Sequence, residues 1–253
     1  MFVKLNYQIY EKEGEKMQRS IQQQQLENLC SSMVKNFNGN EVVPEQIDIE
    51  AFANQYLGYS IIYEDFSNKN KLGFTSDGIT PVEVIRNGTK KSIVFPAKTI
   101  VIAKTYLEKK KEQQKRFLIA HEVGHIIYGL VEGKTAVGYY TDPENGYEGS
   151  SLLDIKEAMS ILETEANKYG AAILMPDYVV GNLIRKHHNG KRFILYDGIQ
   201  FSPSDRCCFE KIAKILNVSY SALYYRLKDL GAFFQCEDSS YLKQLNLGGN
   251  EDV

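Results

Sequence analysis

Apolar positions along this chain follow two periods, and the switches between them mark out the elements. Between residues 15 and 34, Met17, Ile21, Leu26, Leu29 and Met33 recur at roughly helical spacing, which predicts a helix preceded by an irregular lead-in over 1–15. The glutamine run at 22–25 fits a solvated face of that helix. Pro44 closes a polar stretch, and residues 47–53 predict a second, short helix ending near Gly58. The period then changes. Residues 59–63, 82–86, 92–95 and 99–103 are rich in β-branched and aromatic side chains, and Asn87-Gly88 supplies the two positive-φ residues of a tight hairpin turn. Residues 59–105 therefore read as a small, mostly antiparallel sheet.

Helical spacing returns at 109–130, opening with Lys109, Lys110 and Lys111 and turning apolar at Phe117. Residues 131–152 carry Gly133, Gly138, Gly146, Gly149 and Pro143, a long loop of the kind that usually serves function. A further helix over 155–174 stops at Met175-Pro176-Asp177, and a short one follows over 178–187. Residues 209–230 read as two short helices around Asn217-Val218-Ser219, with Ser219 as N-cap. The tail after Asp238 should fray. The expected organisation is an N-terminal arm and helix (1–40), a main domain (41–200), a helix-turn-helix-like element packed on it (201–235) and a tail (236–253). The fold class is α+β, with the sheet packed on the helix of 109–130.

Composition narrows the options. The chain of 253 residues is 43% hydrophobic and 25% charged, enough to build a core without disulfides. Thirty Lys+Arg against 32 Asp+Glu leave a net charge of -2, so no global basic field draws it to nucleic acid or anionic lipid. The longest clean apolar runs, such as 171–175, are too short to span a bilayer. The N-terminus lacks the apolar core of a secretion signal, so a cytoplasmic location is expected. The cysteines (Cys30, Cys207, Cys208 and Cys236) show no CxxC spacing, which fits reduced thiols.

The four histidines form two pairs, His121 with His125 and His187 with His188. The first pair belongs to His121-Glu122-Val123-Gly124-His125, an HExxH motif. Residues i and i+4 stand one turn apart on one helix face, so both imidazoles can reach one ion. Glu122, on the flank between them, can take a proton from water activated by that ion and pass it to a leaving amine. That is metal-assisted peptide hydrolysis. The neighbours Leu118, Ile119, Ala120, Val123, Ile126 and Ile127 are apolar nearly all round, and a buried helix carrying His, Glu and His needs partners for them. Tyr128 and Val131 stand where the metzincin pattern requires Gly and His, so a third ligand must come from elsewhere. The helix over 155–174 offers Glu157, Glu163 and Glu165. Glu163 aligns with the small residues Ala166 and Gly170, which would let two helices approach, and has Asn167 one turn on. Periodicity favours it only slightly.

The stretch Lys115-Arg116-Phe117-Leu118-Ile119-Ala120-His121-Glu122-Val123-Gly124-His125 is followed by Glu163-Thr164-Glu165-Ala166-Asn167-Lys168-Tyr169-Gly170-Ala171-Ala172-Ile173-Leu174-Met175-Pro176. Together they resemble the ImmA/IrrE metallo-endopeptidases, with their RFxxAHExGH and ExEANxFAxxLLMP helices. The resemblance runs from about Ile47 to Leu230 and takes in Val218-Ser219 and Arg226-Leu227. It implies one zinc ion per chain on His121, His125 and Glu163, with Glu122 as general base. It also implies limited cuts in a regulatory protein, commonly a helix-turn-helix repressor. No repressor-type DNA-binding domain stands at the N-terminus, so the target should be a separate chain. Tyr169-Gly170 replaces the usual Phe-Ala, and the hairpin at Asn87-Gly88 and the loop 131–152 are longer than the common pattern.

A second reading is a regulatory binding protein in which zinc holds the fold and the C-terminal element contacts DNA or a repressor without cutting. DNA is disfavoured as partner. Lys211, Lys214, Arg226 and Lys228 exceed Glu210 and Asp229 by only two charges, a thin phosphate footprint, and Asn217 replaces the usual turn glycine. His187 and His188 at a helix end suit the C-terminal dipole. They share with Tyr139, Tyr140 and Tyr147 a candidate role in stabilising an oxyanion.

Overall fold

The computed structural model describes residues 7–12, 15–21, 23–131, 152–196 and 200–236. The chain divides into two compact units, residues 1–176 and 177–253. The division falls inside the span 41–200 that reads from sequence as one domain.

The first unit opens with strands β1 (Tyr7–Lys12) and β2 (Glu15–Ile21), an antiparallel ribbon with Tyr7 opposite Ile21 and Ile9 opposite Arg19. Helix α1 (Gln23–Asn38) follows. The irregular lead-in and the helix start at 15 are thus corrected: the helix begins eight residues later. Met17 and Ile21 are four apart, a spacing that shares a face in a helix and in a strand alike, so these two positions did not discriminate. In α1, Leu26, Cys30 and Val34 are buried at helical spacing, and the Cys30 thiol lies 4.0 Å from the Tyr169 carbonyl oxygen. Asp48 caps the short α2 (Ile49–Ala51), its Oδ1 accepting from Ala51 N at 2.9 Å, and the chain continues as a π-helical turn, Phe52–Tyr56.

Five strands follow: β3 (Ser60–Glu64), β4 (Gly73–Ser76), β5 (Pro81–Arg86), β6 (Thr89–Val94) and β7 (Thr99–Ala103). They do not form one sheet. A three-stranded sheet has the order β3-β7-β4, with β3 parallel and β4 antiparallel to β7, while β5 and β6 form a separate antiparallel ribbon. The reason lies in β7. All five of its residues are buried, so it needs cover on both faces. Helix α3 (Glu112–Val131), reached through 3-10 turns at Lys104–Leu107 and Lys109–Lys111, packs on β4 and β7. On the opposite face Phe74, Val101 and Ala103 join Phe66, Val82, Val84 and Phe95, so the ribbon supplies the second cover. The ribbon turns at Asn87 (φ 53°) and Gly88 (φ 73°), the left-handed pair expected there.

Helix α4 (Leu152–Leu174) lies along α3. Their backbones nearly touch. A Cβ on Gly124 would stand 2.0 Å from the Ala166 carbonyl oxygen, and one on Gly170 would stand 2.4 Å from that of Ala120. Arg116, buried near the start of α3, donates from its guanidinium to the Ile47 carbonyl at 2.9 Å, and Lys115 bridges Glu50 and Glu112.

The second unit comprises α5 (Asp177–His188), β8 (Phe193–Tyr196), β9 (Gln200–Phe201), α6 (Pro203–Leu216), α7 (Tyr220–Asp229) and β10 (Phe233–Cys236). Its sheet has the order β10-β8-β9, which the sequence did not announce. Ser202 caps α6 through the Asp205 amide, and Ser219 caps α7 through the Ala222 amide. Asn217 (φ 52°) takes the left-handed turn between them that a glycine commonly fills. The pair therefore starts at Pro203 rather than 209. Phe193 packs edge-on to Phe201, Phe209 and Phe233. The loop 131–152, with Tyr139, Tyr140 and Tyr147, and the tail after Asp238 lie outside the described residues apart from Val131 and Leu152. Among the described residues no helix is long and apolar enough to cross a membrane.

The helix seam gives a stability prediction. Gly170→Ala forces a methyl group into the α3 backbone and should cost about 1–3 kcal/mol, toward the upper end because backbone cannot rotate away. Gly181→Ala, where the nearest atom is the flexible Arg185 guanidinium at 3.7 Å, should be neutral or stabilising. Urea denaturation of both variants checks the contrast; equal midpoints would deny the contact.

Candidate metal centre

Helix α3 buries Ile119, Ala120, Val123, Ile126 and Ile127 around most of its circumference, and the same burial takes Glu122 (4% exposed) and His125 (5%) out of water. Polar groups so placed require partners. For the histidines these come from one another and from α4. The His121 and His125 rings stand edge to face with centroids 4.6 Å apart, and their Nε2 atoms are 3.1 Å apart. Glu163 reaches across the seam, with Oε2 3.1 Å from His121 Nε2 and Oε1 3.4 Å from His125 Nε2. One ligand atom from each of the three lies within 4.8 Å of the others. Among the described residues this is the one cluster of three or more His, Cys, Asp or Glu side chains that could hold a metal ion.

The glutamates of α4 diverge for a geometric reason. Glu163 lies one turn before Ala166 and Asn167, on the edge that faces α3. Glu165 is two residues further, roughly 200° around the helix. It is buried (3%) but turned away, its Oε1 accepting from Lys168 Nζ at 2.9 Å. The side chain of Glu157 lies outside the described residues. Asn167 Oδ1 accepts from His121 Nδ1 at 2.9 Å, so once the Nε2 proton that meets Glu163 is lost, Nε2 is the nitrogen that offers a lone pair.

The electrostatics suit a cation. Burial opposes protonation of His121, but the Glu163 hydrogen bond, the charges of Glu122 and Glu163 and the Asn167 contact outweigh it and raise its pKa. Hydrogen bonds from His121 and His125 hold the Glu163 carboxyl well below the usual carboxylate range, so it stays ionised. Two imidazole nitrogens and an ionised carboxylate thus lie together, within reach of one ion.

Glu122 is anchored on its other side by the sheet. Thr75 Oγ1, on β4, donates to Glu122 Oε2 at 2.9 Å, and both residues are buried. Strand β4 is missing from the sequence-based reading. The short run Phe74-Thr75-Ser76 has too few residues to show a period, and its one signal is the flanking punctuation: Asn68 to Lys71 before it and the Asp77-Gly78 turn after it.

His188 of the second histidine pair is held inside the second unit. His188 Nδ1 donates to the Lys191 carbonyl at 3.0 Å, Nε2 contacts Asp205 Oδ1 at 2.9 Å, and the ring stacks on Phe193. Asp205 also accepts from the Ile194 amide at 3.0 Å. Both nitrogens of His188 are thus engaged inside the second unit.

Residues 54–228 match the peptidase family described as the IrrE N-terminal-like domain, Peptidase_M78. The chain is also similar to the radiation response metalloprotease IrrE of Deinococcus radiodurans, at 29% identity over 119 residues. That match covers 47% of this chain and 28% of the relative, so the chain spans little more than a quarter of the length of that protein. The family match extends over well more than half of the chain and includes His121, Glu122, His125 and Glu163; the protein belongs to the IrrE N-terminal-like family of peptidases.

Proposed function

We propose that this protein is a zinc endopeptidase that makes limited cuts in a separate regulatory protein, a helix-turn-helix repressor being the target class suggested by family resemblance. The observation that carries the reading is the spacing of the donor atoms. Two ligands about 2.0–2.1 Å from one tetrahedral centre stand about 3.3–3.4 Å apart. The two imidazole Nε2 atoms are 3.1 Å apart, and the Glu163 carboxylate spans them, with Oε2 3.1 Å from His121 and Oε1 3.4 Å from His125, so one ligand atom from each residue lies within 4.8 Å of the others. Two imidazoles and a carboxylate are a common protein donor set for catalytic zinc, and three protein ligands leave a fourth position open.

A zinc ion held there would bring the pKa of a water molecule toward about 7 and polarise a peptide carbonyl. The protein supplies the rest. Glu122, an oxygen base flanked by the two histidines, accepts the proton and delivers it to the leaving amine. Asn167 fixes the His121 ring. Among the described residues β4 is an edge strand with its second side unpaired, so an extended peptide can add to it by backbone pairing and lie beside Glu122. All four cysteines are thiols rather than disulfides, in keeping with a reducing cytoplasm as the place of action. Limited cutting follows if affinity comes from contacts remote from the scissile bond, for which the α6–α7 pair is the candidate surface.

Three outcomes test this. Zinc titration should give about one equivalent for the wild type, none for His121→Ala or His125→Ala, a marked loss for Glu163→Ala and little change for Glu165→Ala; the reverse order for the two glutamates would move the ligand. Glu122→Gln should keep zinc and fold while hydrolysis falls by at least about 10²-fold. Regulation that survives Glu122→Gln in cells would favour the non-cutting binding protein instead. Zinc-loaded protein incubated with neighbouring regulators should cut one of them at few sites and leave casein largely whole. Rapid many-site digestion of casein with regulators intact would end the substrate proposal.

A further inference from the structure

We infer that Thr75 is a positioning residue for Glu122, and that Gly73 keeps open the space its free oxygen needs. This rests on the reading of Glu122 as the base. Three observations support it independently of that motif. First, Thr75 Oγ1 donates to one oxygen of Glu122, Oε2, at 2.9 Å, in a site where Thr75 and Glu122 are each about 4% exposed. Water competes poorly for a bond so buried, and a β-branched side chain on a strand has little rotamer freedom, so the donor is rigid. Second, the strand period puts Gly73 and Thr75 on one face of β4, opposite Ile102 and Ile100 of β7, while Phe74 turns to the other core. Third, a Cβ on Gly73 would lie 3.1 Å from Glu122 Oε1 and 3.1 Å from Ile102 Cδ1. Oε2 is therefore latched, and Oε1 has a glycine beside it where any side chain would press.

The division of labour between the two oxygens is what a base requires. A carboxylate free to turn presents either oxygen in many orientations, and only some point a lone pair at the proton to be taken. Fixing Oε2 leaves Oε1 in one place before substrate arrives, so orientation is not lost again in the transition state. Nothing in the ligand set of His121, His125 and Glu163 supplies this hold. It comes from the sheet, across the helix from Glu163.

The test compares Thr75→Val, which keeps the shape and removes the hydroxyl, with Thr75→Ser, which keeps the hydroxyl. Full-length zinc-loaded protein is assayed on a quenched fluorescent peptide library, and zinc affinity is measured in parallel. Thr75→Val should lower kcat about tenfold, a fraction of the loss of the whole base, with KM and zinc affinity unchanged. Thr75→Ser should restore most of the rate. Gly73→Ala, crowding Oε1 without touching the hydroxyl, should also lower kcat at constant KM. In metal-free protein, Thr75→Val should lower Tm in the wild-type background and much less when Glu122 is already Ala, because the partner is gone. Should Thr75→Val fail to fold, Thr75→Ala makes the same comparison. A Thr75→Val kcat within twofold of wild type, a loss that serine does not restore, or equal Tm shifts in the two backgrounds would overturn the assignment. Wild-type protein that binds zinc and cuts no peptide would instead overturn the peptidase reading, and the positioning role with it.

Discussion

The near-contact of the α3 and α4 backbones is the constraint on which the site depends. A glutamate side chain is short, and Glu163 has to meet two imidazoles that project from another helix. It can do so only because Gly124 faces Ala166 and Gly170 faces Ala120, with no Cβ at either glycine. Had the seam carried ordinary side chains, the axes would part by the usual distance of packed helices and the carboxylate would fall short. The HExxH residues are thus half of a device whose other half is the absence of atoms on the same face. Displacements of one ångström matter in such sites, and contact between main chains resists them better than contact between side chains.

The sheet answers a different need. Burial of α3 gives Glu122 a dry setting in which a charge without a partner would be costly. The apolar face of β7 covers the helix, and β4 brings the single hydroxyl that meets the carboxylate. The Thr75 hydroxyl gives the buried carboxylate the partner it would otherwise lack. Without the β5–β6 ribbon the far face of β7, Val101 and Ala103 with it, would lie open to water.

The sequence made the helices of the site legible and the strands around it much less so. His121, Glu122 and His125 announce themselves because four-residue spacing and apolar neighbours coincide, and Asn87-Gly88 specifies its own turn. Glu163 and Glu165 could not be separated by period alone. What distinguishes them is which side of α4 meets Gly124, a fact about two helices rather than one. The β1–β2 ribbon was hidden because Met17 and Ile21 suit both periods. Strands β4, β8, β9 and β10 are only two to four residues long in the structure, too short for any period to show, and exist because neighbouring strands recruit them. The same holds for Thr75, whose bond to Glu122 appears only once β4 lies against α3.

The ties at the start of α3 have a consequence in time rather than in space. Arg116 holds the Ile47 carbonyl, and Lys115 clamps Glu50 to Glu112, so α2 and the residues just before it are fastened across the first turns of the helix. Helix ends open and close readily, and that fraying fades within a few turns. His121 comes about two and a half turns after Glu112. The histidines therefore sit beyond the reach of end fraying, on a stretch whose amide hydrogens should exchange more slowly than those of the first turn.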